Sequence, residues 1–178
     1  MTLILDIGLA FLFAVPIFVS NAIPALLGGG YPVDGYKLFF DKKRILGNHK
    51  TIQGLVTGIV SGLFASVIVW FMSGELMMEN YSSIGFQYPW WIGAVMGWGC
   101  NFGDMLGSFL KRRIRISPGG SFPVFDQLGY MIFGLLWSWP IFKALPWQFL
   151  ITLLIISPLL HLSANVLAYV LKVKDVPW

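Results

Sequence analysis

The chain has 178 residues, of which 57% are hydrophobic and 11% charged, with mean hydropathy +0.75 and a formal net charge of +4 at pH 7. A soluble domain carries about 25% charged residues, so the composition excludes a soluble globular protein and points to an integral membrane protein. The basic balance sits in loops, where it reports orientation rather than nucleic-acid binding, and the single cysteine, Cys100, excludes a disulfide framework or a cysteine-based metal site.

Apolar runs of the length that crosses the hydrocarbon core occur at about 3-27, 52-73, 88-110, 124-142 and 146-171. The expected fold is therefore all-α, one transmembrane catalytic domain over 1-178 with five transmembrane helices joined by loops 28-51 and 111-123. Nothing basic precedes the first run, and the run outlasts a signal-peptide h-region, so it reads as a permanent span. Lys37, Lys42, Lys43, Arg44 and Lys50 fall in the first of these loops and Lys111, Arg112, Arg113 and Arg115 in the second, with Lys172 and Lys174 in the tail. Glu75, Glu79 and Lys143 occupy the opposite loops. Eleven of the twelve basic residues thus share one side, which the positive-inside rule makes cytoplasmic, with the N-terminus outside and the C-terminus inside.

Pro16 and Pro24 in the first span, and Pro140 and Pro158 later, are expected to kink or end their helices. The first loop is dense in functional groups. Pro32-Val33-Asp34-Gly35 reads as a turn that fixes a carboxylate near the end of span one. Gly47-Asn48-His49-Lys50-Thr51 leads into span two, with Thr51 as N-cap and free backbone N–H groups able to hold an anion. It is no Walker A loop, because the glycine directly before Lys-Thr is missing and no strand precedes it. Lys42 and Lys43 read as contacts to anionic lipid head groups.

Gly54, Gly58 and Gly62 in span two, and Gly99, Gly103 and Gly107 in span three, make small-xxx-small ridges for close helix packing. Tyr88, Trp90, Trp91, Trp137, Trp139 and Trp147 read as anchors at the outer interface.

Span three also has a polar side. At 100° per residue, Gly97, Asn101, Asp104, Ser108 and Lys111 fall within an arc of about 80°. An ionisable residue in a span costs about 2.5 kcal/mol or more and marks a protein cavity or water-filled site. Asp104 lies roughly 10 Å below Lys111 at 1.5 Å per residue, and Asp126 lies at a matching depth past the loop. Two carboxylates beneath Lys111, Arg112, Arg113 and Arg115 suit a hard divalent cation bearing phosphate oxygens; the competing reading is an interfacial Asp104 salt-bridged to an arginine, without substrate. His49 and His161 are the only histidines, which leaves little support for a catalytic histidine. His161 and Asn165, at i and i+4, read as an interhelical hydrogen-bond patch before a substrate contact.

Phosphoryl or nucleotidyl transfer fits basic loops above paired carboxylates, because it needs charge neutralisation and in-line positioning. A lipid phosphate, with its second pKa near 6, is ionised at neutral pH and needs no general base. A non-enzymatic transporter or lipid-binding protein with a basic cytoplasmic mouth is the alternative. A transporter would place its polar groups near the midplane, however, and a CDP-alcohol phosphotransferase would repeat several aspartates along two helices.

The run Asp104-Met-Leu-Gly107-Ser108-Phe-Leu-Lys111-Arg112-Arg113, then Ser117-Pro118-Gly119-Gly120 and Pro123-Val-Phe-Asp126-Gln127-Leu128, resembles the signature of CTP-dependent lipid cytidylyltransferases. Asp34-Gly35, Lys43-Arg44, Gly47 and Lys50-Thr51 resemble the same family's pattern in the first loop. The bacterial phosphatidate enzymes have Lys-Asp and His-Gly-Gly pieces and a final Asp-Arg where this chain has Ser117 to Gly120 and Asp126-Gln127, so the likeness is to the archaeal ether-lipid branch, the CDP-archaeol synthases. The resemblance implies Asp104 and Asp126 as Mg²⁺ ligands, and Lys111, Arg112, Lys50 and Asn48 around the CTP phosphates. It also implies Asp34 and Lys37 in the cytoplasmic-side site, which Thr51, Ser108 and Arg113 complete. The implied partners are CTP, an isoprenoid glyceryl ether phosphate and membrane lipids, with no nucleic acid and no protein partner, at a multi-pass position in the cell membrane with the site facing the cytoplasm.

Overall fold

A computed structural model of the chain describes residues 3–117 and 120–172; Pro118 and Gly119 of the signature, and Lys174, lie outside the described residues. The described residues are helical, without strands: α1 (Leu3–Leu27), α2 (Ile52–Val69), α3 (Glu75–Asn80), α4 (Ile92–Arg113), α5 (Phe125–Phe142) and α6 (Trp147–Val170). Three stretches, Ile4–Leu27, Ile52–Asn80 and Trp147–Val170, are long and apolar enough to cross a membrane. The polar face and basic end of α4, and the acidic start of α5, dilute those two helices.

Several boundaries differ from the sequence expectation. The second apolar run continues past 73, because a π-turn at Trp70–Gly74 carries the helix directly into α3. The third begins later, after Pro89-Trp90-Trp91, and runs to Arg113, so Lys111, Arg112 and Arg113 occupy the last helical turn instead of a loop. Cations there oppose the negative end of the helix dipole. None of Pro16, Pro24, Pro140 or Pro158 ends its helix before the predicted boundary.

The glycine ridges set the helix order. A Cβ on Gly58 would lie 3.0 Å from Ser20 O of α1, and one on Gly62 2.6 Å from Gly93 O of α4. A Cβ on Gly103 would lie 2.6 Å from Gly129 O of α5, whereas one on Gly107 would meet only Phe125 Cδ1 at 3.9 Å. The backbones of α4 and α5 therefore touch at Gly103. Gly103→Ala is expected to destabilise the protein by about 1–3 kcal/mol through forced separation of the helices, and Gly107→Ala to be neutral or slightly stabilising. Thermal unfolding in detergent checks the pair; equal effects would mean that close contact at Gly103 does not matter.

At the opposite end of α4, Leu9, Phe13, Ile17, Ile92, Phe142, Phe149 and Leu153 make a buried apolar core. Trp90, Trp91, Trp137, Trp139 and Trp147 are 40–65% exposed, as membrane-interface anchors are. Tyr88 is a correction to that group: it is wholly buried, with its ring against Phe13. Asp6, to which the sequence drew no notice, is buried in the first turn of α1 and accepts a hydrogen bond from Tyr81 Oη.

Candidate active site

The first loop is closed at its base. Val33 N donates to Lys50 O (2.8 Å) and Ile52 N to Tyr31 O (3.0 Å), so the turn after Pro32 lies beside the segment entering α2. Thr51 caps α2 as its sequence position implies, with Oγ1 accepting from Gly54 N at 3.1 Å. Its hydroxyl oxygen is thereby committed to the helix start.

Asp34 organises the loop. Its carboxylate accepts from Arg44 Nη2 (2.6 Å) and Nε (3.2 Å), and from the backbone N–H of Leu46 (3.0 Å), Gly47 (3.1 Å) and Tyr36 (3.2 Å). The side chain has no exposed surface. Burial alone would raise its pKa, but Arg44 and the three backbone donors outweigh it and hold the carboxyl at about 2, against an ordinary 3.8. The same bond raises the pKa of Arg44. A depressed folded-state pKa gives stability that is fully present above the unfolded value and lost as pH falls through the folded one. Asp34 therefore contributes about 2 kcal/mol that fades between about pH 4 and pH 2. Asp34→Asn is expected to flatten the stability profile over that interval; an unchanged acid limb would contradict the assignment.

Residues 37–45 form a small hairpin, with Leu38 bridged to Arg44 and a turn in which Lys42 N donates to Phe39 O. Arg113 ties it to α4. Its Nη2 donates to Arg44 O (2.6 Å), its Nε lies 3.0 Å from Asp41 Oδ2, and its guanidinium sits over the rings of Phe39 (4.9 Å) and Phe109 (4.7 Å). Arg113 thus positions the loop. Lys37 is exposed on the hairpin.

The loop's last residues reach the polar face of α4. Lys50 Nζ lies 3.1 Å from Asp104 Oδ2, so the partner of Asp104 is a first-loop lysine and not an arginine. Asn101 on the same face bonds back to Gly97 O (2.7 Å), and Ser108 is half-buried. At the C-terminal end of α4, Lys111 Nζ contacts Asp126 Oδ2 at 2.6 Å and Gly120 O at 3.2 Å, and Phe122 N donates to the same carboxylate oxygen at 2.9 Å. Asp126 is delivered by a strained turn: Val124 has φ +70° and ψ −55°, and Phe125 N donates to Pro123 O. A β-branched residue at positive φ is uncommon and costly.

Among the described residues, Oδ1 of each aspartate accepts no hydrogen bond. No group of three or more His, Cys, Asp and Glu is found among them either. The donor set fits Mg²⁺, which is held by one or two carboxylates and completes its octahedron with phosphate and water.

A cavity of about 360 Å³ is lined by Lys43, Arg44, Gly47, Asn48, His49, Arg112, Arg115 and Ile116. Its lining residues His49 and Arg112 are the chain neighbours of Lys50 and Lys111, the lysines paired with the two aspartates. Arg44 Nη1 donates to Asn48 Oδ1 at 2.8 Å. Arg112 is held by one bond to Ser117 O (3.3 Å), and its buried Nε has no partner among the described residues. Burial, and then the neighbouring Arg113 charge, lower the Arg112 pKa; an anion in the cavity would relieve both. Four cations around one cavity give it the charge that suits phosphate.

The CarS-like family model, described as CDP-archaeol synthase, matches residues 2–178. The chain belongs to this family. It is accordingly an enzyme, a membrane nucleotidyltransferase of lipid biosynthesis. It is 39% identical to a CDP-archaeol synthase of Methanococcus aeolicus, with 95% of each chain covered, and 41% identical to that of Methanococcus maripaludis strain C5 over the whole of both chains. The CDP-archaeol synthase of Thermococcus onnurineus is 37% identical with 95% of each covered. A solved structure of an intramembrane enzyme for archaeal membrane lipid biosynthesis superposes with TM-score 0.73 at 32% identity, covering 88% of this chain and 92% of the other.

Sequence reasoning missed the Asp34–Arg44 pairing and the Lys50–Asp104 pairing. The only available signals were Asp34 following the Pro32 turn and the lysine directly before the cap of α2. His161 lies over the Tyr130 ring (5.7 Å), where Tyr130 Oη bonds Ser157 Oγ (2.8 Å) and Ser157 donates to Gln127 O (3.0 Å), tying α5 to α6.

Proposed function

We propose that this chain transfers the cytidylyl group of CTP to the phosphate of 2,3-bis-O-(geranylgeranyl)glycerol 1-phosphate, giving unsaturated CDP-archaeol and pyrophosphate, with Mg²⁺ as the cation. The observation that carries the reading is the pairing of Asp104 with Lys50 and of Asp126 with Lys111, lysines whose chain neighbours His49 and Arg112 line a cavity with four cationic side chains. Family membership supports the same reaction.

Arg112, Arg115, Lys43 and Arg44 bind the triphosphate, Asn48 and the Gly47 backbone orient it, and Lys50 and Lys111 neutralise charge next to the carboxylates. Asp104 and Asp126 would hold Mg²⁺. Bound there, the ion would supply further neutralisation of the phosphates and in-line alignment. An oxygen of the lipid phosphate forms the new bond to the α-phosphorus, the bond from that phosphorus to the bridging oxygen breaks, and pyrophosphate leaves with the electron pair. The lipid phosphate is already ionised at neutral pH, so no side chain has to remove a proton.

In this reading the chain is one catalytic domain crossing the cell membrane five times, N-terminus outside and C-terminus in the cytoplasm, because eleven of twelve basic residues fall on one side. CTP arrives from the cytoplasm, and the isoprenoid tails stay in lipid beside the helices.

The test is the purified protein in liposomes with CTP labelled on its α-phosphate, the lipid phosphate and Mg²⁺. Label is expected to pass into the organic phase, with one pyrophosphate per transfer, only when lipid phosphate and divalent cation are both present. Label confined to the aqueous phase with folded protein would reject the reading.

A further inference from the structure

The 37–45 hairpin exposes apolar side chains that the site does not use. Phe40 at its tip is 96% exposed and Leu38 is 58% exposed. Phe40 packs edge-on against Phe39 (5.0 Å), and Phe39 in turn meets Phe109 of α4 at 5.2 Å. Phe109 belongs to the apolar part of α4, two residues before Lys111 opens its basic end. The hairpin therefore lies along α4 at the level where the helix passes from apolar to charged, which is the level of a membrane interface. Charge points the same way. Lys37 and Lys42 are exposed, whereas the one acid of the tip, Asp41, is neutralised by Arg113 and accepts from Lys43 N (3.1 Å).

We propose that this hairpin is an interfacial anchor: Phe40 and Leu38 enter the boundary between head groups and acyl chains, and Lys37 and Lys42 rest on anionic head groups. The return arm of the same hairpin supplies Lys43 and Arg44 to the basic cavity. Anchoring thus holds that cavity at the depth where a lipid phosphate lies. The inference rests on the helices being embedded in a bilayer and not on the reaction assigned above.

A nitroxide at Phe40→Cys tests it, because the native Cys100 is buried and leaves the new thiol selectively reactive. The labelled protein is placed in nanodiscs of phosphatidylcholine with or without phosphatidylglycerol, and collision rates with oxygen and with a water-soluble nickel chelate are compared. Labels at Val60→Cys on the exposed side of α2 and at His49→Cys in the cavity mouth serve as references. Oxygen collisions are expected to predominate at 40 and 60 and nickel collisions at 49. Phosphatidylglycerol should deepen the label at 40, and Lys37→Ala with Lys42→Ala should remove that response. Nickel predominance at 40 with oxygen predominance at 60 would overturn the anchor. So would spin–spin broadening between labels at 40 with both quenchers shut out, which would assign the tip to a second copy of the chain. Nickel predominance at 60 would overturn its premise of embedded helices.

Discussion

Asp104→Asn and Asp126→Asn are each expected to lower cytidylyl transfer by about a thousandfold or more, a loss of ~4 kcal/mol of transition-state stabilisation. Each substitution keeps the size of the side chain and removes the charge that would hold a cation. Folding should scarcely register it, because both ion pairs are partly solvated, with side chains 31% and 29% exposed at the aspartates, and such pairs contribute about 0–1 kcal/mol. The expected signature is therefore lost turnover at unchanged thermal stability. Near-normal turnover in either variant would remove that aspartate from the chemistry.

Asp34→Ala is expected to fail differently. It leaves the Arg44 guanidinium without its bidentate partner and strips the acceptor from the N–H groups of Leu46 and Gly47. Breaking a buried pair on one side costs about 3–5 kcal/mol, somewhat less here because Arg44 is 25% exposed. The loop should become sensitive to protease between 34 and 50, and turnover should fall because Gly47, Asn48 and Lys50 lose their placement. Excess CTP should restore part of both, since a ligand that binds only the ordered loop stabilises it by mass action. An Asp34→Ala protein with normal thermal stability and loop protection but no CTP binding would instead make Asp34 a direct contact to the nucleotide.

The contrast between these aspartates explains what the sequence made legible. Helix positions followed from the length of the apolar runs, and α1, α5 and α6 start and stop within a residue of them. Asp104 and Lys111 were legible because helical periodicity is fixed, so a polar stripe on an apolar helix is visible in the residue spacing alone. The Thr51 cap was legible because capping is local. Asp34 was not, because its role lies in bonds to Arg44 ten residues away and to three backbone N–H groups, two of them at Leu46 and Gly47, and loop closure carries no period to read. Lys50 meets Asp104 across 54 positions of chain, and the glycine contact that brings α4 to α5 shows only in three dimensions. Tyr88 misled for a related reason. Its sequence neighbours are exposed tryptophans, but the chain turns at Pro89-Trp90-Trp91 before α4 starts, and Tyr88 itself packs inward on Phe13.

The most direct test is a structure of the protein with CTP and Mg²⁺ bound. The account predicts one ion with an oxygen from each of Asp104 and Asp126 at about 2.0–2.1 Å and the triphosphate in the cavity formed by Lys43, Arg44, Arg112 and Arg115. An ion held by one aspartate or by neither, with Lys50–Asp104 and Lys111–Asp126 still paired and the triphosphate elsewhere, would contradict it.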